Sequence, residues 1–210
     1  LPVEIAPQSV AEAYAIQHLT IGADGVAGWK VGATSAPGAY SCAALSSGRL
    51  LADGGILQRG NRLPEVEVEI AIRIVRDLLP GSVRAREEVL AALGSAHAAF
   101  EIVESRFLDR KKAAPLSTLA DAQSCRAFVI AEQGVEGWQD RDMAGVEAVL
   151  SVDGAELARK TGGASASQIV EAIHWLAGHA DRFGGLRAGQ VVITGARIGP
   201  LPIGAASNLR

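Results

Sequence analysis

The stretch "PEVEVEIAIRIV", Pro64 to Val75, decides how the chain is read. Taken two residues at a time, it separates into two faces. Val66, Val68, Ile70, Ile72 and Ile74 make one; Glu65, Glu67, Glu69, Ala71 and Arg73 make the other. This period-two alternation predicts a strand from Glu65 to Val75, broken by Pro80-Gly81. Residues two apart on a strand lie about 6.5–7 Å apart along it, so neighbouring glutamates can converge on one ion between them. Carboxylates crowded on a buried face repel at low dielectric and take up protons unless a cation offsets them. All-oxygen ligation suits Mg²⁺, Mn²⁺ or Ca²⁺ rather than zinc. A half-solvated sheet with a wet outer face is the plainer explanation of the same pattern.

A second acidic stretch bears on the choice. In "AAFEIVESRF", Ala98 to Phe107, Glu101 has apolar neighbours on both sides. A strand from Ala99 to Arg106 would make that carboxylate costly unless it is partnered, either by Arg106 or by a shared cation. In "GWKVG", Lys30 stands among apolar residues and two glycines. Such a lysine can have a lowered pKa and move protons, or it can snorkel to solvent.

The remaining elements are shorter signals. Ser9 and Glu12 have capping-box spacing ahead of a helix to about Leu19. Val26 to Thr34 reads as a strand, and Ala36 to Gly48 as a loop. Arg84 to Leu93 reads as a helix stopped by Gly94, and Arg126 to Ala131 as a strand. Val146–Val152 and Ala155–Lys160 flank Asp153-Gly154, a hairpin turn signal. Ser167 is expected to cap a helix running to about Phe183, with Ile169, Val170, Ile173, Leu176, Ala177 and Ala180 on one side. Gln190 to Thr194 closes the series as a strand. Strands outnumber helices without regular alternation, which predicts an α+β fold with antiparallel or mixed pairing.

Composition excludes some functions. The chain has 210 residues, is 49% hydrophobic, and carries a net charge of −3. No basic run suits nucleic acid, and Arg110-Lys111-Lys112 reads as a solvated loop. Two cysteines, Cys42 and Cys125, have no zinc or redox spacing and suit reduced thiols in a cytoplasmic protein. No apolar run approaches the roughly 20 residues of a bilayer span, and no signal peptide opens the chain. The sequence starts at Leu1, which suits a trimmed or processed start. There is no HExxH, no G-x-S-x-G elbow and no phosphate-binding P-loop. "TGGASAS", Thr161 to Ser167, could hold an anion at a helix start, or serve only as a loop with its cap.

Taken in order, "AYAIQ" (Ala13–Gln17), "GWKVGATS" (Gly28–Ser35), "GRLLAD" (Gly48–Asp53), "VEVEIAI" (Val66–Ile72), "FEIVESRF" (Phe100–Phe107), "LADAQSC" (Leu119–Cys125) and "LRAGQVVITGA" (Leu186–Ala196) resemble one family. It is the 2-keto-4-pentenoate hydratase / 4-oxalocrotonate decarboxylase group of the fumarylacetoacetate hydrolase superfamily. The resemblance implies a mixed β-roll or sandwich core with flanking helices. It implies one catalytic domain over 1–210, with residues 1–50 packing a helix and strand onto the roll. It implies Mg²⁺ or Mn²⁺ on Glu67, Glu69 and Glu101, with Lys30 and its acidic partner Asp53 as the catalytic pair. Ser124 and Thr194 would lie near the substrate, and Glu65 would stand outside the ligand set. The expected activity is a hydro-lyase reaction, hydration of a 2-hydroxy-dienoate or 2-oxo-alkenoate. The alternatives are a 4-oxalocrotonate-type decarboxylase, an acylpyruvate hydrolase, or a catalytically silent subunit of an active homologue. A small 2-oxo acid is the expected partner, in a homo-oligomer, without nucleic acid or membrane. Ala164–Ser167 and the loop from Ser35 to Gly48 depart from the family's wording. The ends are also shorter than the family's, so a truncated roll could keep the metal residues yet lose activity.

Overall fold

The computed structural model describes residues 2–21, 25–34, 38–58, 64–81, 85–204 and 208–210. Strands β1 (Val26–Ala33), β2 (Tyr40–Ser46), β3 (Leu50–Leu51), β4 (Glu65–Ile74), β5 (Leu93–Val103), β6 (Cys125–Val135), β7 (Glu147–Val152), β8 (Ala155–Thr161) and β9 (Val191–Pro202) join helices α1 (Val10–Ile21), α2 (Arg86–Ala92), α3 (Pro115–Ala120) and α4 (Ala166–His179). Seven strands form one mixed sheet in the order β2-β1-β9-β4-β5-β6-β3, and β7-β8 form a separate hairpin. Parallel pairs are β1 with β9 and β3 with β6; the other pairs are antiparallel.

That order cannot lie flat. Strands β2 and β3 are the two outermost, yet only the turn Ser47–Arg49 separates them in the chain. Six strand spacings of about 4.8 Å would hold them roughly 29 Å apart in a flat sheet. Three residues reach only about 10 Å. The sheet therefore rolls until its edges meet, and Arg49 donates to the Cys125 carbonyl (2.5 Å) across the seam.

Rolling gives β4 two different neighbours. Its valines and isoleucines face outward, Val66 and Val68 beneath Leu150, Val152 and Ala158 of the hairpin. Ile70, Ile72 and Ile74 pack on the helical layer, where α4 contributes Ile169, Ile173 and Leu176. The opposite face looks into the roll, which Ala43, Leu45, Ala71, Ala99, Phe128 and Ile193 fill with small and apolar groups. The alternation that defines β4 thus separates a packing face from a polar interior face.

Several expectations need correction. The expected loop from Ala36 to Gly48 contains β2, paired antiparallel with β1. Both faces of β2 are covered, Cys42 and Ala44 by the helices and Ala43 and Leu45 by the roll. With both sides covered, its pattern shows no polar–apolar alternation; residues 36 and 37 of this stretch lie outside those described. Gly94 does not stop α2 before a loop. Leu93 turns directly into β5, and Gly94 makes room for β4, since a Cβ there would meet Val75 Cγ1 at 2.5 Å. Helix α4 is capped by Ser165, which accepts from Gln168 N (3.3 Å) while Gln168 returns a bond to Ser165 N (2.9 Å). The helix ends at His179 and a 3-10 turn continues to Phe183. At α1, Ser9 accepts from Glu12 N (3.1 Å), but the Glu12 carboxylate reaches Gln8 N (2.6 Å), one residue short of a full capping box. The hairpin turn is as expected, with positive φ at Asp153 (49°) and Gly154 (84°). No helix among the described residues is long and apolar enough to cross a membrane.

Candidate metal centre

Register brings the carboxylates together. Glu67 on β4 lies directly opposite Glu101 on β5, and Glu69 lies opposite Ala99, one diagonal away. Directly opposed Cβ atoms sit about 4.5–5.5 Å apart and diagonals about 7–8 Å, within reach of glutamate side chains. Each of the three glutamates offers an oxygen, and these oxygens lie within 4.8 Å of one another. Glu101 is fully buried and Glu69 almost so (3% exposed).

Lys30 enters from the other side of the roll. Its Nζ donates to Glu101 Oε1 at 2.6 Å, although β9 and β4 separate β1 from β5 in the sheet. The expected Arg106 partner for Glu101 is not used; Arg106 pairs with Asp121 instead. Glu101 Oε2 is buried with no hydrogen-bond partner. Glu69 Oε2 accepts from Gly195 N at 2.7 Å. The register between β4 and β9 slips here, Glu69 pairing with Ala196 and Ala71 with Ile193. This extra β9 residue is a bulge that turns Gly195, at φ 104°, to aim its N–H at the carboxylate. Thr194 spends its hydroxyl on Ile70 O (2.9 Å), anchoring the same bulge.

The electrostatics favour added positive charge at the cluster. Burial, then the Glu101 charge, pushes the Glu69 carboxyl up to about 8, against the pull of Lys30. Burial and Glu101 also raise Glu67. Burial alone would lower Lys30, but the Glu101 carboxylate bonded to it at 2.6 Å leads the opposing effects, which outweigh burial and hold the ammonium. This reverses the lowered value expected for a lysine in apolar surroundings. Burial and Glu101 likewise raise the Cys125 thiol.

The residue chemistry fits a hard divalent cation. An orphaned buried oxygen, three converging carboxylates and an all-oxygen donor set are what Mg²⁺-type ligation uses. Glu67, Glu69 and Glu101 are the side chains that would hold it.

The other expected site residues divide. Ser124 is buried at the start of β6, in a left-handed run with Ala122 (φ 50°), Gln123 (φ 53°) and Ser124 (φ 66°). Such strained non-glycine backbone clusters at functional sites. Gln123 donates to Ser41 Oγ at 2.6 Å, while its Oε1 is buried and unpartnered. Asp53 is not brought to Lys30: it is exposed and accepts from Glu132 N (3.3 Å), whereas the ion pair of Lys30 is with Glu101. Glu65, set aside in the sequence, accepts from Arg110 Nε (2.8 Å) and from its Nη2. Gly195 and Gln123 were missed. A glycine inside the "VVITGA" strand was the available signal for the bulge; nothing local marks Gln123.

A mixed sheet rolled around buried carboxylates, with a lysine bonded to one of them, defines a β-roll protein whose interior donor set suits a divalent cation. The chain belongs to the fumarylacetoacetate hydrolase family: residues 45–205 match the family model described as "Fumarylacetoacetate (FAA) hydrolase C-terminal". It is 36% identical over 146 residues to a 2-hydroxyhexa-2,4-dienoate hydratase of Comamonas testosteroni, covering 69% of this chain and 54% of that protein. It is 37% identical over 139 residues to a 2-keto-4-pentenoate hydratase of Burkholderia vietnamiensis, covering 66% of this chain and 52% of the other. The chain thus spans about half the length of the curated relatives it matches. The fold is also that of 4-oxalocrotonate decarboxylase from Pseudomonas putida G7, solved with calcium and acetate. There the TM-score is 0.71 at 22% identity, over 93% of this chain and 78% of that one.

Proposed function

We propose that this protein is a divalent-metal-dependent hydratase acting on a small 2-hydroxy-dienoate or 2-oxo-alkenoate. One observation carries the reading: Glu67, Glu69 and Glu101 converge beside Lys30 in a chain whose curated relatives are named as dienoate and pentenoate hydratases. Mg²⁺ or Mn²⁺ on these carboxylates would supply a Lewis acid for the substrate's carboxylate and C2 oxygens.

The chain's own groups account for the rest. Lys30 is held charged by its carboxylate neighbours and so starts as a proton donor. It can give its proton to the far carbon of the dienol, and the proton leaving the C2 hydroxyl restores the ammonium. Water then adds across the carbon–carbon double bond conjugated to the new ketone. Gly195 N–H holds Glu69 in place through one oxygen, leaving the other for ligation. Ala71, Ala99, Phe128 and Ile193 close the floor of the roll and keep bulk water from the carboxylates. Ser124 and Thr194 are proposed to lie at the substrate's flank, with Thr194 acting through the bulge. Asp53 is left without a role at Lys30. Cytoplasmic location and a homo-oligomeric state are part of the same proposal; the buried free thiols Cys42 and Cys125 support the first.

Purified protein should consume 2-hydroxypenta-2,4-dienoate, followed by loss of its ultraviolet absorbance. The rate should vanish with chelator and return with Mg²⁺ or Mn²⁺. Full turnover by Glu67→Ala would overturn the ligand assignment. Carbon dioxide release from 4-oxalocrotonate without hydration would move the assignment to a decarboxylase.

A further inference from the structure

The rim of the carboxylate cluster carries a cation that the sequence alone assigned to a solvated loop. After β5, Asp121 binds Ser105 Oγ (2.7 Å), Arg106 N (3.3 Å) and the Arg106 side chain, which fixes the path of the returning chain. Asp109 then accepts from Lys111 N (3.0 Å) and holds the short turn Arg110–Lys112. This places Arg110 against Glu65, whose Oε2 takes two of its N–H groups, from Nε and Nη2. The side chains are 29% and 25% exposed, so the pair sits at the boundary between roll and solvent. A guanidinium has five N–H donors. One carboxylate oxygen uses two of them and leaves the outer edge of the fork open. Arg110 is also near enough to draw Glu67 downward, as Lys30 does from within.

Charge balance gives this arrangement a purpose. Three ionised glutamates, a divalent cation and Lys30 sum to zero. An acid bound through its own carboxylate makes the centre negative. A second carboxylate on the same molecule then finds no attraction at the centre and needs a cation farther out. Glu65 and Glu67 are two residues apart on one face of β4, about 6.5–7 Å. That is roughly the reach of five to six carbon–carbon bonds, each advancing about 1.25 Å along a zigzag chain.

We propose that Arg110, oriented by Glu65, is a specificity residue that receives a second carboxylate, so that the site prefers 2-oxo or 2-hydroxy-dienoic diacids to monoacids of the same length. This rests on the reading of the carboxylate cluster as a metal-dependent 2-oxo acid site. Glu65 is then no bystander: it fixes the arginine's fork while its neighbours on the strand hold the ion. Lys111 stands on the same turn and adds positive charge to this rim, while Lys112 is paired with Asp109 (3.3 Å).

The test is calorimetric binding to the Mg²⁺-loaded protein of 2-oxoadipate and 2-oxohexanoate, which share a six-carbon chain and differ only in the far carboxylate. The protein should bind the diacid about tenfold or more tightly. Arg110→Gln should bring the ratio of the two affinities close to one, and Arg110→Lys, which keeps the charge and loses the fork, should fall between. A ratio near one in the unaltered protein would overturn the proposal without any variant. So would a preference that survives in folded Arg110→Gln. If neither acid binds, the 2-oxo acid reading itself falls, and this proposal with it.

Discussion

Cation binding to this centre should release protons, and the amount follows from Glu69. Burial and the neighbouring Glu101 charge lift its carboxyl from the usual 4.5 to about 8. At pH 7 such a group is protonated about nine times in ten, and at pH 9 about one time in ten. A ligating carboxylate must give that proton up. Each Mg²⁺ bound at pH 7 should therefore expel about 0.9 proton from Glu69, and about 0.1 at pH 9. Glu67 is raised by the same causes. Apparent affinity should climb about tenfold per pH unit below pH 8 and level off above it. Titration calorimetry in buffers of different ionisation enthalpy reads the proton count directly, from the slope of observed heat against buffer enthalpy. Release that is absent near neutral pH, or that persists unchanged in Glu69→Gln, would refute the account of this carboxylate.

The same shift predicts the cation-free protein's response to pH. Because the folded pKa of Glu69 is raised, its contribution to stability is full below the unfolded value and is lost as pH climbs through about 8. The loss is at most about 1.4 kcal/mol per pH unit, read as a falling urea midpoint that added Mg²⁺ restores. Lys30→Met should cut turnover by about 10²–10⁴-fold, the usual worth of a positioned proton donor. Cation affinity should be retained or improved, since a competing positive charge is gone. Gly195→Ala should cost about 1–3 kcal/mol through its φ of 104° and should weaken cation binding by displacing the donor to Glu69. Arg197 is buried and donates to the carbonyls of Met143 (2.5 Å), Gly162 (2.8 Å) and Ala164 (2.8 Å). Arg197→Met strands those acceptors and should cost about 3 kcal/mol or more in chemical denaturation.

What could be seen in the sequence was whatever repeats over short range. The β4 alternation, the Asp153-Gly154 turn and the apolar side of α4 each arise from neighbours within one element, and each is present. Strand β2 was hidden because both its faces are buried, so its residues carry no polar–apolar period. At the site, Glu67 and Glu69 share a strand face and were accessible to pattern. Their meeting with Glu101 depends on register, and the Lys30 bond depends on the sheet rolling, which no local pattern encodes. Arg106 was the natural partner for Glu101 by proximity along the chain, but Asp121 captures it. Asp53 was placed beside Lys30 by the family pattern, whereas the turn after β3 points it to Glu132.

The position of β9 in the sheet has a consequence for how the protein is made. This strand is the last in chain order among the described residues, yet it lies between β1 and β4 near the middle of the sheet order. Until it inserts, Lys30 and the glutamates are on strands with no common neighbour, and Glu69 lacks its Gly195 donor. The β4–β5 pair can align its three glutamates alone, but the Gly195 donor and the neighbour that ties β1 to β4 arrive only when β9 inserts. The early strands meanwhile wait with unpaired edges, a slow, non-local assembly of the kind that depends on protection during translation.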